Sequence, residues 1–315
     1  MKKLLPLLLL TLAVIVSGCV GQEAGVISCP GEGVTDGVTI TDFSFDFNEI
    51  YGGESVGLTF TVENFGGEDG TLNSYQLFGP DMVTSGATSM QWEVTSGDIT
   101  STGIAEDLSA PNMDLGIPGG MYTELWTIKA PGGLTVETPV NLNIRATYTY
   151  KTSFSGVLTV MTQSYLSSLP PEERKALIQS GGLSAKCYTG GPMKLQAAAG
   201  THFVDPSGEP KIRFVINNVG PGYPFWPETG TIDGDYDEID DTTKYRVHVP
   251  AQTSGFVTCL EDTVTLSRGE VGTFDCSFDA SSMTVTAKTD YNFQIEIEYY
   301  YWQDSATAIR VLRPL

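Results

Sequence analysis

Apolar and polar residues alternate with period two along much of this chain, and the longest alternating stretch occurs twice. Asn292 to Val311, NFQIEIEYYYWQDSATAIRV, repeats Asn141 to Val160, NLNIRATYTYKTSFSGVLTV, without a gap at an offset of 151 residues. Ile144 falls on Ile295, Tyr148 on Tyr299, Tyr150 on Tyr301 and Val160 on Val311. β-Branched and aromatic residues suit a pleated, half-buried surface, so each copy predicts a strand, a polar turn and a returning strand. Each would then close a β-domain with a hairpin. Within Tyr299 to Trp302, alternation sends Tyr299 and Tyr301 to one side and Tyr300 and Trp302 to the other. One pair is expected in the core and the other on the outer face.

Two further motifs repeat in the same order. Val56 to Glu63 reads as a strand ending in Asn64-Phe65-Gly66-Gly67, and Lys211 to Ile216 ends in Asn217-Asn218-Val219-Gly220; Asn64 on Asn218 gives an offset of 154. The segment Ile117 to Ala130 matches Leu266 to Ala280, with Ala130 on Ala280 at an offset of 150. Three ordered correspondences indicate an internal duplication with small loop changes. Asn followed by Gly ends a strand because both tolerate positive φ. Short strands divided by Gly and Pro favour a sandwich of about seven strands per unit over an α/β fold. The predicted class is therefore all-β: two tandem immunoglobulin-like β-sandwiches, residues 38–165 and 190–315, joined by a short helical linker at 166–189. In the linker a helix is expected from Ser167 to Gly182, capped by Ser168, with Pro170 and Pro171 in the first turn and Glu172 and Glu173 near its positive end.

The front of the chain differs in pattern. Lys2 and Lys3 precede an apolar run, Leu4 to Val16, of a length that suits the core of an export signal. It ends in Val16-Ser17-Gly18-Cys19, which resembles the lipobox of prokaryotic lipoproteins. The resemblance implies a signal peptide over 1–18, a diacylglyceryl group on Cys19 and a lipid-anchored, extracytoplasmic body, with residues 19–37 as the tether. The strand ending in V-x-N-x-G, the "PGG" or "RGE" turn before an alternating strand, and the closing Y-x-Y strand resemble the CARDB-type immunoglobulin-like domains of archaeal and bacterial surface proteins. That likeness implies a fold; such sandwiches serve as spacers, adhesins and assembly modules alike.

An exported location makes disulfides sustainable. Of five cysteines, Cys19 is the lipid site, and the other four allow three connectivities. Cys259 with Cys276 and Cys29 with Cys187 is the favoured set; without a C-x-x-C spacing, a zinc site is disfavoured.

A formal net charge of -21 repels nucleic acid and anionic headgroups. Two histidines, His202 and His248, stand in separate contexts without a hydrolase or phosphate-binding motif, so no enzyme is expected. Asp233, Asp235, Asp237, Asp240 and Asp241 place hard oxygens at near-alternate positions, as Ca²⁺ requires, although a solvated acidic loop has the same composition. Just before them, Tyr223, Phe225 and Trp226 are held by prolines in a platform for a sugar or peptide, or in a loop folded onto its own domain. The reading is a non-enzymatic surface protein whose partners are the membrane, through its lipid, and other surface proteins or glycans. Self-assembly is compatible with it; a calcium- or carbohydrate-binding lipoprotein is the alternative.

Overall fold

The structure, a computed structural model, describes residues 36–180, 183–198, 211–227, 244–252, 256–279 and 284–314. The first repeat runs through β1 (Val38–Phe45), β2 (Glu49–Tyr51), β3 (Ser55–Asn64), β4 (Gly70–Phe78), β5 (Met82–Val83), β6 (Trp92–Ser96), β7 (Thr100–Leu108), β8 (Met121–Lys129) and β9 (Thr138–Met161). Helices α1 (Gln163–Ser168) and α2 (Pro171–Ser180) follow. The second repeat continues with β10 (Leu183–Tyr188), β11 (Met193–Ala198), β12 (Lys211–Asn218), β13 (Tyr223–Phe225), β14 (Arg246–His248), β15 (Val257–Cys259), β16 (Thr263–Thr265), β17 (Val271–Phe278) and β18 (Lys288–Leu312). The chain is all-β, as its periodicity predicts, with nine strands per repeat among the described residues rather than seven.

The expected closing hairpins do not form. β9 and β18 are single strands of 24 and 25 residues, and every residue of β9 has an antiparallel partner on β18. The polar midpoints look like turns because their side chains are hydrophilic, yet they obey the alternation. Thr152 points inward and shares a hydrogen bond of 2.9 Å with the Tyr299 hydroxyl. Gln303 also points inward, and its Nε2 donates to the Val38 carbonyl at 2.9 Å. A buried polar group with a partner costs little, so the strand passes through the core without turning.

The register of this ladder carries the symmetry of the duplication. Thr149 faces Tyr300, its own counterpart in the other copy, while Tyr148 faces Tyr301 and Tyr150 faces Tyr299. Two identical halves meeting across a two-fold axis would pair in this way. The axis passes between Thr149 and Tyr300, at the waist of the molecule.

One face of the ladder is buried along most of its length. It comprises Leu142, Ile144, Ala146, Tyr148, Tyr150, Phe154, Leu158 and Val160 of β9, with Phe293, Ile295, Ile297, Tyr299, Tyr301, Ile309 and Val311 of β18. Two smaller sheets account for that burial: β1-β3-β8-β6-β5 at one end and β11-β12-β17-β15 at the other. These orders match strand for strand over their first four members, which supports the duplication independently of the sequence alignment. At the first end Tyr75 meets Phe60 and Trp126 at 5.8 and 5.3 Å between ring centres. At the second, Phe154 and Phe293 of the long strands meet Phe214 and Phe278 at 5.5 and 5.0 Å. The two repeats thus share one nine-stranded sheet and one continuous apolar core.

The linker also departs from expectation. The helix is broken at Leu169, which is extended (φ -75, ψ 148), because a residue before proline is pushed out of the helical region. Ser168 therefore ends α1 instead of capping a longer helix; the cap is Thr162, whose side chain accepts from the Tyr165 N–H. Leu183 to Tyr188, inside the expected linker, is strand β10 beside β9.

Cys259 and Cys276 form the expected disulfide between directly opposed residues of β15 and β17. Closing a chain segment of 17 residues restricts the unfolded state, so Cys259→Ser with Cys276→Ser is expected to cost about 3 kcal/mol. A lower urea midpoint with a somewhat steeper slope is the expected readout, because the unbridged chain exposes more surface when it unfolds. Cys187 is also disulfide-bonded; Cys29, its expected partner, lies outside the described residues.

Candidate functional site

At the waist each repeat builds the same corner from an asparagine that ends a strand and a tyrosine of a long strand. In the first, Asn64 Nδ2 donates to the Glu68 carbonyl at 2.9 Å and the Glu68 N–H donates to the Tyr150 hydroxyl at 3.1 Å. In the second, Asn218 Nδ2 donates to the Gly222 carbonyl at 2.8 Å and the Gly222 N–H donates to Tyr301 Oη at 2.9 Å. A Cβ on Gly66 would strike the Tyr150 hydroxyl and one on Gly220 would crowd Pro192 and the Tyr301 hydroxyl, so close approach is what requires these glycines; contrary to expectation, neither they nor Asn64 and Asn218 take positive φ. The Tyr150 and Tyr301 hydroxyls are held protonated well above the ordinary phenol range, chiefly by burial. They act as fixed hydrogen-bonding struts, not as acids.

The outer face of the ladder at the waist is also covered. Tyr300 and Trp302, expected outside, are 9 % and 6 % exposed because β13 lies beside them. Phe225 stacks on Tyr300 at 5.4 Å between ring centres and meets Trp302 at 5.5 Å. At 1 % exposed, Phe225 is packing and offers no contact surface. Tyr223 is 42 % exposed and leans on Tyr245 and Trp302. Trp226 is half-buried, with the His248 ring stacked on it at 4.7 Å and 13°. His248 is held in turn by Nδ1, 2.8 Å from the Asp262 carbonyl.

Beside this cluster a hollow of about 310 Å³ opens on the outer face, lined by Asp69, Thr71, Thr149, Lys151, Trp226, Glu298 and Tyr300 with the backbone around them. Its walls come from both repeats. Lys151 pairs with Glu68 at 3.7 Å, and Asp69 accepts from the Ala110 N–H at 2.7 Å. The Glu68 carboxyl is raised from its ordinary range, first by burial and further by the nearby Glu296 and Asp69 charges, against the opposing pull of Lys151 and Ser153.

Of the residues singled out from sequence, the structure brings Trp226 to this hollow. Cys19, Cys29, Asp233, Asp235, Asp237, Asp240 and Asp241 lie outside the described residues. Among the described residues no three His, Cys, Asp or Glu side chains converge on a metal site. Sequence reading missed Asp69, Thr149, Lys151 and Glu298, which come from separate segments; for the first three the signal was the repeat alignment, which sets them against Tyr223, Tyr300 and Trp302, whereas Glu298 falls on Thr147 and carried none.

No protein family matches the chain, and no curated protein does. Among solved structures it is similar, at 11% identity and a TM-score of 0.17, to a protein of unknown function from Porphyromonas gingivalis W83, over 77% of this chain and 83% of that one. It is also similar, at 10% identity and a TM-score of 0.11, to a collagen adhesin from S. aureus, over 87% of this chain and 92% of the other. Likenesses at these scores carry no argument about function.

Proposed function

We propose that this protein is a non-enzymatic, lipid-anchored protein of a prokaryotic cell surface, which holds a stiff double β-body outside the membrane for contact with other surface molecules. The observation that carries this reading is the ladder of β9 and β18. Two sandwiches on a flexible connection would swing independently, whereas two that share a sheet present their faces at a fixed angle. The chain enters this body at the waist, where the Phe65 N–H donates to the Gly37 carbonyl at 2.9 Å. A spacer from Cys19 to that point reaches at most roughly 60 Å when fully extended. The lipid then fixes distance and the shared sheet fixes orientation. The CARDB-type resemblance and the acidity of the chain fit the same surface role.

The test is the anchor. Expressed with its own leader in a prokaryotic host, the protein is expected to enter the detergent phase on phase separation and to carry a diacylglyceryl group on Cys19 by mass spectrometry. Cys19→Ser is expected to move it to the aqueous phase. Wild-type protein in the cytosol with its leader intact would end this reading.

A further inference from the structure

The hollow exists because the two repeats have diverged at four equivalent places. In the second repeat Tyr223, Phe225, Tyr300 and Trp302 plug the outer face with rings. The duplication sets Asp69, Thr71, Thr149 and Lys151 at the same places in the first repeat. Backbone pairing confirms the match: Thr71 is opposite Thr149 as Phe225 is opposite Tyr300. Where one side of the two-fold axis is filled by four aromatic side chains, the other keeps small and charged ones, and space remains.

What remains has a definite chemistry. Trp226 and Tyr300 supply ring surface, and the stacked His248 holds the indole in place. Asp69 and Glu298 supply carboxylates, and Thr71 and Thr149 hydroxyls. The lining ammonium, Lys151, is engaged by Glu68, a carboxylate outside the lining. Lys151 also stands opposite Glu298 across the ladder; with Glu68 counted, the hollow has three carboxylates to this one ammonium, an excess of negative charge. An anionic ligand would be repelled, and a neutral one would dehydrate those carboxylates without compensation. A cation gains from both features, because ring faces and carboxylates each attract an ammonium group.

We propose that this hollow binds a small organic cation through a primary ammonium group, its carbons lying against Trp226 and Tyr300 and its nitrogen between Asp69 and Glu298. An amino sugar and a lysine side chain share that chemistry, and the size of the hollow suits either. The inference is independent of the lipid anchor, so the Cys19→Ser chain can replace the lipidated one without changing the outcome.

The experiment is a calorimetric and tryptophan-fluorescence titration of the full chain with two pairs of probes. One pair is glucosamine and glucose; the other is Nα-acetyl-lysine methylamide and its Nε-acetylated form. Saturable binding of at least one charged probe is expected, with its neutral partner bound at least tenfold more weakly. The charged probe that binds identifies the source. Asp69→Asn and Glu298→Gln are each expected to weaken binding about tenfold, and Thr149→Tyr, which restores the ring of the second repeat, to abolish it. All three variants should keep the wild-type melting temperature within a few degrees. Equal binding of charged and neutral probes, no binding of either charged probe, or full binding by a folded Thr149→Tyr chain would each overturn the proposal.

Discussion

Replacing Phe154 by alanine is expected to lower the stability of the whole body by about 3–5 kcal/mol, the usual cost of emptying a large aromatic site in a packed core. The position is chosen for where its ring lies. By sequence Phe154 belongs to the first repeat, but its ring is 1 % exposed and packs against Phe214 at 5.5 Å and Phe293 at 6.0 Å, in the core of the second. The lost contacts therefore fall on one half while the strand that loses them is anchored in the other. Because β9 and β18 run unbroken through both halves, neither can release them without opening the shared ladder. Calorimetry should show one transition, with equal calorimetric and van't Hoff enthalpies, moved down by roughly 10 °C. Phe60→Ala, at the opposite end, should move that same transition. Two separable transitions, only one of them sensitive to each variant, would mean that the repeats melt independently and that the shared sheet does not couple them.

Much of this architecture was legible in the sequence, because period-two alternation and a repeated order of motifs are local signals. The Asn64 and Asn218 strand ends, the match of β8 with β17 and the Cys259–Cys276 bridge all followed from spacing and composition. The long strands did not, and the reason is physical. Periodicity reports which face of a strand is buried, but it does not name the strand's neighbour, and Thr152 and Gln303 are polar for a purpose that only their distant partners reveal. A contrary signal was present: neither midpoint has the Asn-Gly or Asp-Gly pair that a tight hairpin turn requires. In the linker, Pro170 suits a first helical turn by composition, but the residue before a proline resists the helical conformation, so Leu169 divides the expected helix into two. The hollow was the least legible feature. Its side chains are drawn together from β4, β9, β18 and two loops, and no window along the chain contains them. The aromatic segment Tyr223 to Trp226 did point toward it, but most of that segment proved to be the plug, and Trp226 alone of the three faces the opening.

The asparagine at the end of β3 is expected to be worth more than its counterpart at the end of β12, although the two occupy equivalent corners. Asn64 is fully buried and meets three backbone groups: its Nδ2 donates to the carbonyls of Glu68 at 2.9 Å and Leu108 at 2.8 Å, and its Oδ1 accepts from the Gly66 N–H at 2.9 Å. Alanine there strands the Leu108 carbonyl and the Gly66 N–H away from water, and each orphaned group costs about 1–3 kcal/mol, so a loss of about 3–5 kcal/mol is expected. Asn218 is half-exposed and binds the Gly222 carbonyl and the Tyr301 hydroxyl. Water can reach part of that corner, and the phenol keeps the Gly222 N–H as a donor when the asparagine is gone. Asn218→Ala is accordingly expected to cost about 1–2 kcal/mol, the range of a replaceable hydrogen bond. Urea unfolding of both single variants and of the double variant measures this directly. The corners lie in different repeats and share no partner, so their costs should add within a few tenths of a kcal/mol. Equal losses at the two sites would show that burial does not set the strength of this corner. A double-variant cost far from the sum would show that the two corners are coupled through the tyrosines that face one another across the waist.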